Sequence, residues 1–174
     1  MGRWSRLLAH ELLKWLNIPA GLRWIDVCCG SGVVTEAIAE RTAPASIVGV
    51  DVSVEQINFA SEQRARSNII FQTADAMNLP FPDASFDIAV CGLGLNYIPI
   101  PARGLDEFCR VTRPGGTVAV YSGTTQMERD FCVSFGMRRL PSMLKPAPPT
   151  KPVVFQSVRQ KACAAFSNKS DWKI

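Results

Sequence analysis

The chain contains the nine-residue sequence WIDVCCGSG at Trp24–Gly32. Its first half is apolar and partly β-branched, which is typical of a buried strand, and its second half holds two glycines, which suit a tight turn. A helical pattern follows at Val34, Ala37 and Ile38. A glycine loop between a strand and a helix lets a ligand approach the backbone beside the helix N-terminus. The stretch therefore predicts a strand, a glycine loop and a helix, in that order.

The same alternation of strand and helix continues through residues 1–125. Four more short apolar runs follow the first, and they lack a clean two-residue alternation, as strands covered on both faces do. Before the first strand, leucines recur at helical spacing up to Leu16. We expect an α/β fold, with a Rossmann-like, doubly wound, mostly parallel sheet and helices on both faces. The further strands are expected at Ser46–Val50, Ile69–Thr73, Asp87–Cys91 and Thr117–Tyr121.

The pattern changes after residue 125. Residues 1–125 carry 10 basic and 12 acidic side chains, whereas residues 126–174 carry 9 and 3, so the basic excess of the chain lies in the second segment. Five prolines between Pro141 and Pro152 exclude a regular helix or central strand there. We expect residues 126–174 to form an irregular, basic, proline-rich segment that is mobile and cleaved early near Lys145–Lys151. Beyond the prolines, the pattern allows one more strand at Val153–Phe155 and a short helix at Val158–Phe166.

Composition excludes several classes of protein. The chain is 47% hydrophobic and 20% charged, as soluble globular proteins are. No apolar run approaches the roughly 20 residues of a membrane span, and the N-terminus lacks the apolar core of a signal peptide, so we expect a cytoplasmic protein. The six cysteines form no C-x-x-C pair, and His10 is the one histidine, which argues against a metal site. Because no nucleic-acid motif accompanies the basic segment, we expect no nucleic-acid partner.

Acidic residues stand at the ends of three successive predicted strands. Asp26 leads into the glycine loop, Asp51 ends the second strand 21 residues after Gly30, and Asp75 follows the third. Ligands of open parallel sheets bind at the carboxyl ends of the strands, where an acid about 20 residues past the loop suits a ribose diol. Taken singly, each acid is explained better by helix capping or a solvated loop. Together they indicate a nucleoside site.

The acidic pattern distinguishes between nucleotides. A dinucleotide site has the pattern G-x-G-x-x-G, but Thr35 occupies the position of the third glycine. A carboxylate at Asp26 is also poorly placed near a diphosphate, because like charges repel. S-adenosylmethionine carries a sulfonium, an ammonium, a ribose diol and an adenine, and no phosphate. The acids therefore favour S-adenosylmethionine as the cofactor.

Several motifs carry a family resemblance over residues 3–122. Residues Trp24–Gly32 resemble the first motif of class I S-adenosylmethionine-dependent methyltransferases of the ubiquinone and menaquinone biosynthesis branch. The stretches at Val48–Ser53, Asp75–Asp87 and Arg110–Gly116 resemble the family's ribose-binding strand end, its adenine-binding loop and its turn before the fifth strand. The residues that the motifs and strand ends together assign to cofactor binding are Asp26, Cys28, Gly30, Gly32, Asp51, Val52, Asp75 and Ala76.

The chain departs from the family pattern in two places. Cys28 stands where the family often has glycine or alanine, which predicts a slightly displaced loop or weaker binding. Past Tyr121 the family usually continues with further helices and two antiparallel strands, which this sequence does not resemble. A truncation or an altered reading frame would explain that change, and a packed, well-ordered sheet edge built from residues 126–174 would contradict it.

The resemblance implies methyl transfer from S-adenosylmethionine to a small-molecule acceptor. The acceptor, the oligomeric state and any catalytic residue cannot be named from the sequence; Tyr97 is the best-placed candidate base, although aromatic packing explains it equally well. Trp4 and Arg6 resemble positions near the cofactor entrance, or else simply begin an amphipathic helix. Two alternatives stay open: a catalytically inactive or binding-only methyltransferase-like domain, which the irregular tail favours, and a nicotinamide-dependent oxidoreductase, against which Thr35 and Asp26 argue.

Overall fold

The computed structural model describes the backbone of residues 2–125, 131–139 and 156–158, and the side chains of residues 5–121. The helices are α1 (Gly2–Leu16), α2 (Val33–Thr42), α3 (Val54–Arg64) and α4 (Pro101–Val111), and a 3-10 turn covers Leu95–Tyr97. The strands are β1 (Arg23–Val27), β2 (Ser46–Asp51), β3 (Ile69–Thr73), β4 (Phe86–Gly92), β5 (Thr112–Thr125), β6 (Phe131–Arg139) and β7 (Gln156–Val158).

The strands form a single sheet in the order β3-β2-β1-β4-β5-β6-β7. The first five are parallel, whereas β6 pairs antiparallel with β5, and β7 antiparallel with β6. Strand order reverses between β1 and β4, and ligands of open α/β sheets bind at such a reversal. The predicted α/β, Rossmann-like, mostly parallel sheet is confirmed.

Two apolar clusters cover the two faces of the sheet. One joins α1 and α2 to the sheet and contains Leu12, Ile38 and Trp24. The other joins α4 to the opposite face and contains Phe108 and Ile25. Neighbouring residues of β1 therefore point to opposite clusters, so both faces of this central strand are buried, as its continuous apolar run predicts.

Strand boundaries differ from the expected ones mainly in β5. The strand begins at Thr112 rather than Thr117, because Thr112 pairs with Phe86 before the register shifts and Thr117 pairs with Ile88. The residues between them hold Gly115 at a φ of 78°. The predicted turn before the fifth strand is thus an irregularity inside that strand.

Strands β6 and β7 lie in the segment for which we expected no regular structure. The sequence of β6 does carry a strand signal, since Phe131, Val133, Phe135 and Met137 alternate with smaller or polar residues. Val158 belongs to β7 rather than to a helix. The expectations for Lys145–Lys151 and Val153–Phe155 lie outside the described residues, as does the side-chain packing that would test the truncation hypothesis.

Candidate cofactor site

A cavity of about 1200 Å³ opens at the carboxyl ends of the first four strands. Segments that are distant in sequence meet there, because the parallel strands all end at this edge of the sheet. Six of the eight residues that the sequence assigns to cofactor binding line the cavity: Cys28, Gly30, Asp51, Val52, Asp75 and Ala76. The other two, Asp26 and Gly32, are buried behind the loop.

Asp51 fastens the glycine loop to the end of β2. Its Oδ2 accepts a hydrogen bond from the Gly30 amide at 2.8 Å, and its Oδ1 accepts one from the Ser53 amide at 3.0 Å. A second tie joins the Cys29 amide to the Val50 carbonyl at 2.9 Å. Each carboxylate oxygen can accept more than one hydrogen bond, so Asp51 can brace the loop and still accept from a ligand.

Gly32 belongs to the packing beneath the loop. It caps α2 with a φ of 79°, and a Cβ there would lie 2.9 Å from both the Phe71 ring and Arg64 Cδ. Arg64 itself donates to the Ser31 carbonyl and to Glu36, each at 2.6 Å. Gly32 is therefore needed for a left-handed turn in a space already filled by side chains.

Asp26 is fully buried and shares a hydrogen bond with Thr35. The Thr35 hydroxyl donates to Asp26 Oδ2 at 2.6 Å, while Oδ1 has no partner among the described residues. Burial raises the pKa of this carboxyl to about 7, although hydrogen bonds from Thr35 oppose the change. Thr35 stands where a dinucleotide site would have its third glycine. In the sequence, Thr35 is recognisable only as a missing glycine, whereas in the structure its hydroxyl supports Asp26.

Cys28 adopts a backbone conformation that favours glycine. Its φ is 58°, in the left-handed region, and the residue lines the cavity with its side chain half-buried. A non-glycine residue in this region costs about 1–2 kcal/mol. The structure thus gives a physical basis for the smaller residue at this position in the family.

We therefore expect Cys28→Gly to stabilise the fold and to preserve or tighten cofactor binding. Relief of the left-handed strain outweighs the greater backbone entropy of glycine, which costs about 0.5–1 kcal/mol, so the net gain is about 0.5–1 kcal/mol. Urea unfolding gives the stability and calorimetric titration with S-adenosylhomocysteine gives the affinity. The matched control is Cys28→Ala, which removes the thiol and keeps the backbone strain. A glycine at Cys109 would not serve, because that residue lies inside α4. Loss of binding in both Cys28→Gly and Cys28→Ala would contradict the prediction and show that the thiol contacts the ligand.

Asp75 and Ala76 lie on the loop after β3. Asp75 is exposed, and its Oδ1 accepts a hydrogen bond from the Met77 amide at 2.8 Å, so it shapes its own turn. Glu107 and Arg110 hold the rest of the loop, through the Leu79 amide at 2.7 Å and the Leu79 carbonyl at 2.9 Å. The loop thus has support on α4, and the second oxygen of Asp75 stays available for a ligand.

The opposite wall of the cavity was not predicted from the sequence, apart from Tyr97. It consists of the segment after β4, with Leu93, Gly94, Tyr97 and Ile98. Tyr97 is 78% exposed, so it lies at the mouth of the cavity rather than in the core. Two glycines on either side of Leu93, directly after a strand, were the available signal for this wall. Gln56 and Phe59 of α3 complete the lining.

Other candidate residues have structural partners away from the cavity. Arg6 forms an ion pair with Glu40 at 3.0 Å, and His10 Nδ1 lies 2.7 Å from Arg41. The side chain of Trp4 lies outside the described residues. Within the part of the chain that the structure describes, no group of three or more His, Cys, Asp or Glu side chains could hold a metal ion. Nor does that part include a helix long and apolar enough to cross a membrane.

Comparison with known proteins agrees with this geometry. Residues 25–120 match the family described as methyltransferase domain. The demethylmenaquinone methyltransferase of Shouchella clausii is 36% identical over 112 residues, which cover 62% of this chain and 48% of that protein. The corresponding enzyme of Geobacillus stearothermophilus is 34% identical over 134 residues, which cover 75% of this chain and 55% of that protein. The chain thus spans about half the length of these curated relatives.

A solved structure shows the same arrangement. The YcgJ protein of Bacillus subtilis is 26% identical, with a TM-score of 0.61 over 70% of this chain and 51% of that one. The matched residues 25–120 contain most of the cavity lining described above, including the glycine loop, Asp51 and Asp75. By sequence and by fold, the chain belongs to the class I S-adenosylmethionine-dependent methyltransferase family.

Proposed function

We propose that this chain binds S-adenosylmethionine in the cavity and transfers its methyl group to a small apolar acceptor. The observation that carries the proposal is the charge of the lining. Its carboxylates are Asp51 and Asp75, at the ends of β2 and β3, and Glu55 in the first turn of α3. No lysine, arginine or histidine occurs among the described lining residues. Such a site attracts a cationic ligand and repels phosphates and carboxylates.

The residues present fit the cofactor. Asp51 is placed to accept hydrogen bonds from a ribose diol, and Asp75 and Ala76 to contact the adenine. Asp26 lies behind the loop with an unpartnered buried oxygen and a pKa raised to about 7, so a cation above the loop favours its ionised form. We assign Cys28, Gly30, Gly32 and Val52 to the loop and wall of the same cofactor site.

The chain's contribution to catalysis is positional. When bound, the cofactor supplies a methyl group that is already strongly electrophilic. The protein needs to hold the acceptor in line with it and to exclude water, which is proximity and orientation catalysis. The loop ties to Asp51 fix one wall, and the segment at Leu93–Pro99 forms the other. We assign no catalytic base, because a base is needed only when the acceptor carries a proton of high pKa.

The acceptor side of the cavity is apolar. Leu93, Ile98 and Pro99 line it, and Tyr97 adds an aromatic ring at the mouth. Apolar walls with few polar groups favour neutral, apolar ligands. The relatives from Shouchella clausii and Geobacillus stearothermophilus act, by name, on demethylmenaquinone. We therefore propose that the acceptor is a small apolar molecule of that kind. We also propose that the protein acts in the cytoplasm.

A two-step assay tests the proposal. Titration calorimetry with S-adenosylhomocysteine and with NAD measures cofactor choice, and transfer of a radiolabelled methyl group into an organic phase measures turnover on apolar acceptors. We expect binding of S-adenosylhomocysteine, no binding of NAD, and labelled product. Binding without turnover on any acceptor would favour the binding-only alternative, and binding of NAD alone would favour an oxidoreductase.

The division of the chain at residue 125 makes a separate prediction. Because the cavity is built from residues before 100, a protein of residues 1–125 should retain cofactor binding better than catalysis. At about 100 times its dissociation constant, S-adenosylhomocysteine should stabilise both the full chain and residues 1–125 by roughly 2.7 kcal/mol. Thermal unfolding with and without the ligand measures this. A folded, soluble short protein without a ligand shift would show that the later residues help build the site.

A further inference from the structure

Two cysteine thiols meet under the glycine loop. Cys28 directly follows β1, and Cys91 lies in β4, which is hydrogen-bonded to β1. Both sulfur atoms lie 3.1 Å from one point, the position that a Cβ on Gly94 would take. The last β1–β4 pair is Asp26 with Val90, so Cys91 lies one residue further along β4 and Cys28 two residues beyond Asp26. The two sulfur atoms are therefore neighbours at the end of β1.

The two thiols differ in access. Cys28 is half-buried and lines the cavity, so small polar molecules can reach it. Cys91 is fully buried in the cluster between α4 and the sheet. Its interaction with the Cys28 side chain, and then burial, raise the pKa of the Cys91 thiol. Cys28 is therefore the thiol that a reagent in the cavity contacts first, and Cys91 is the neighbouring thiol that can react with it afterwards.

The third nearby cysteine faces away from this pair. Cys29 Sγ lies 3.2 Å from the position of a Cβ on Gly49, on the β2 side of β1, and donates to the Gly30 carbonyl at 3.6 Å. Burial raises the pKa of its thiol beyond the usual range. A bond between the adjacent residues Cys28 and Cys29 is thus disfavoured by orientation.

We propose that Cys28 and Cys91 form a reversible disulfide when a hydroperoxide enters the cavity, and that this bond closes the cofactor site. Cys28 attacks one peroxide oxygen, the O–O bond breaks, and a sulfenic acid and water form, when the oxidant is hydrogen peroxide. The Cys91 sulfur then displaces the hydroxyl of the sulfenic acid, forming the S–S bond and a second water. The two sulfurs lose two electrons in total, and the peroxide gains them.

The effect on the cofactor site follows from the position of Cys28. The residue lies in the loop whose Gly30 amide is tied to Asp51, and a bond to Cys91 holds the loop towards β4. This step rests on the proposed cofactor site. Because coupling between two equilibria is reciprocal, the factor by which oxidation weakens cofactor binding equals the factor by which the cofactor disfavours the disulfide.

The experiment uses the full chain and hydrogen peroxide. After treatment, free thiols are blocked, the protein is digested without reduction, and linked peptides are identified by mass spectrometry. S-adenosylhomocysteine affinity is measured before oxidation, after oxidation and after reduction with dithiothreitol. We expect a Cys28–Cys91 link, an affinity at least ten times lower in the oxidised protein, full recovery on reduction, and slower linking with ligand present.

Variants separate this pair from the other thiols. Cys91→Ala should retain its affinity through peroxide treatment, with Cys91→Ser as the second choice if the alanine variant does not fold. Cys109→Ser, on α4, should respond as the unmodified chain does. A link through any other cysteine, or an oxidised protein that binds the ligand as before, would overturn the proposal. A protein that forms the link on oxidation but does not bind S-adenosylhomocysteine even in its reduced state would instead refute the proposed function.

Discussion

We expect Asp51→Ala to weaken S-adenosylhomocysteine binding by roughly ten- to a hundredfold. The variant loses a hydrogen bond between a charged group and the ligand's ribose, which is worth about 1.5–3 kcal/mol. It also removes the acceptor of the Gly30 and Ser53 amides, so the loop loses its tie to β2. Titration calorimetry on the folded variant measures the change.

Two controls separate ligand contact from loop support. An analogue of S-adenosylhomocysteine without the 2′- and 3′-hydroxyls lacks the ribose contact, so Asp51→Ala should weaken its binding less than that of S-adenosylhomocysteine. The loss of affinity that remains with the analogue measures loop support. Asp106→Ala removes an exposed carboxylate on α4, away from the cavity, and should leave the affinity unchanged. An unaltered dissociation constant in Asp51→Ala would remove this residue from the site.

The second large effect concerns the pH dependence of stability. Because burial raises the Asp26 pKa from 3.8 to about 7, the folded protein keeps a proton between these values that the unfolded chain has released. The contribution of Asp26 is therefore fully present below pH 3.8 and is lost as the pH rises through 7. Between about pH 4 and pH 7 the free energy of unfolding should fall by about 4 kcal/mol from this group alone.

Asp26→Asn should abolish this fall, because the amide does not titrate. Urea unfolding of both proteins from pH 4 to pH 8 should show the variant gaining stability relative to the unmodified chain as the pH rises. Parallel profiles would mean that Asp26 is ionised in the folded state throughout the range.

Asp87 provides the contrast for the Asp26 measurement. Burial raises the pKa of Asp87, but hydrogen bonds from Arg23 and Arg113 outweigh it and lower the pKa to about 2. Its contribution to stability is present above 3.8 and is lost as the pH falls through 2. Asp87→Asn should therefore change the profile only at acid pH, outside the window of Asp26.

Local patterns in the sequence were sufficient for the parallel half of the sheet. Apolar runs without alternation marked buried strands. Ser53 and Gln56 also have the spacing of a capping box, and the Ser53 hydroxyl does accept from the Gln56 amide at 3.3 Å. The reciprocal hydrogen bond of a capping box is not formed, because the Ser53 amide donates to Asp51 instead. That difference arises because the carboxylate at the end of β2 competes for the same donor.

The contacts between distant residues in the site could not be predicted from the sequence. The acids at strand ends were predictable because parallel strands end together, but the wall at Leu93–Pro99 depends on how the chain turns after β4. The hydrogen bond between Thr35 and Asp26 forms only because the loop turns back over β1. Cys28 and Cys91 become neighbours only through the register of β1 on β4. Strand β6 was missed because proline density further along was taken to describe the whole segment.

The most direct measurement is a crystal structure of the full chain bound to S-adenosylhomocysteine. We expect the ligand in the cavity at the strand ends, with its ribose hydroxyls within hydrogen-bond distance of Asp51, its adenine against Ala76 and its homocysteine end over the loop at Cys28–Gly30. A ligand bound outside this cavity, or inside it with its ribose turned away from Asp51, would contradict the proposed cofactor site.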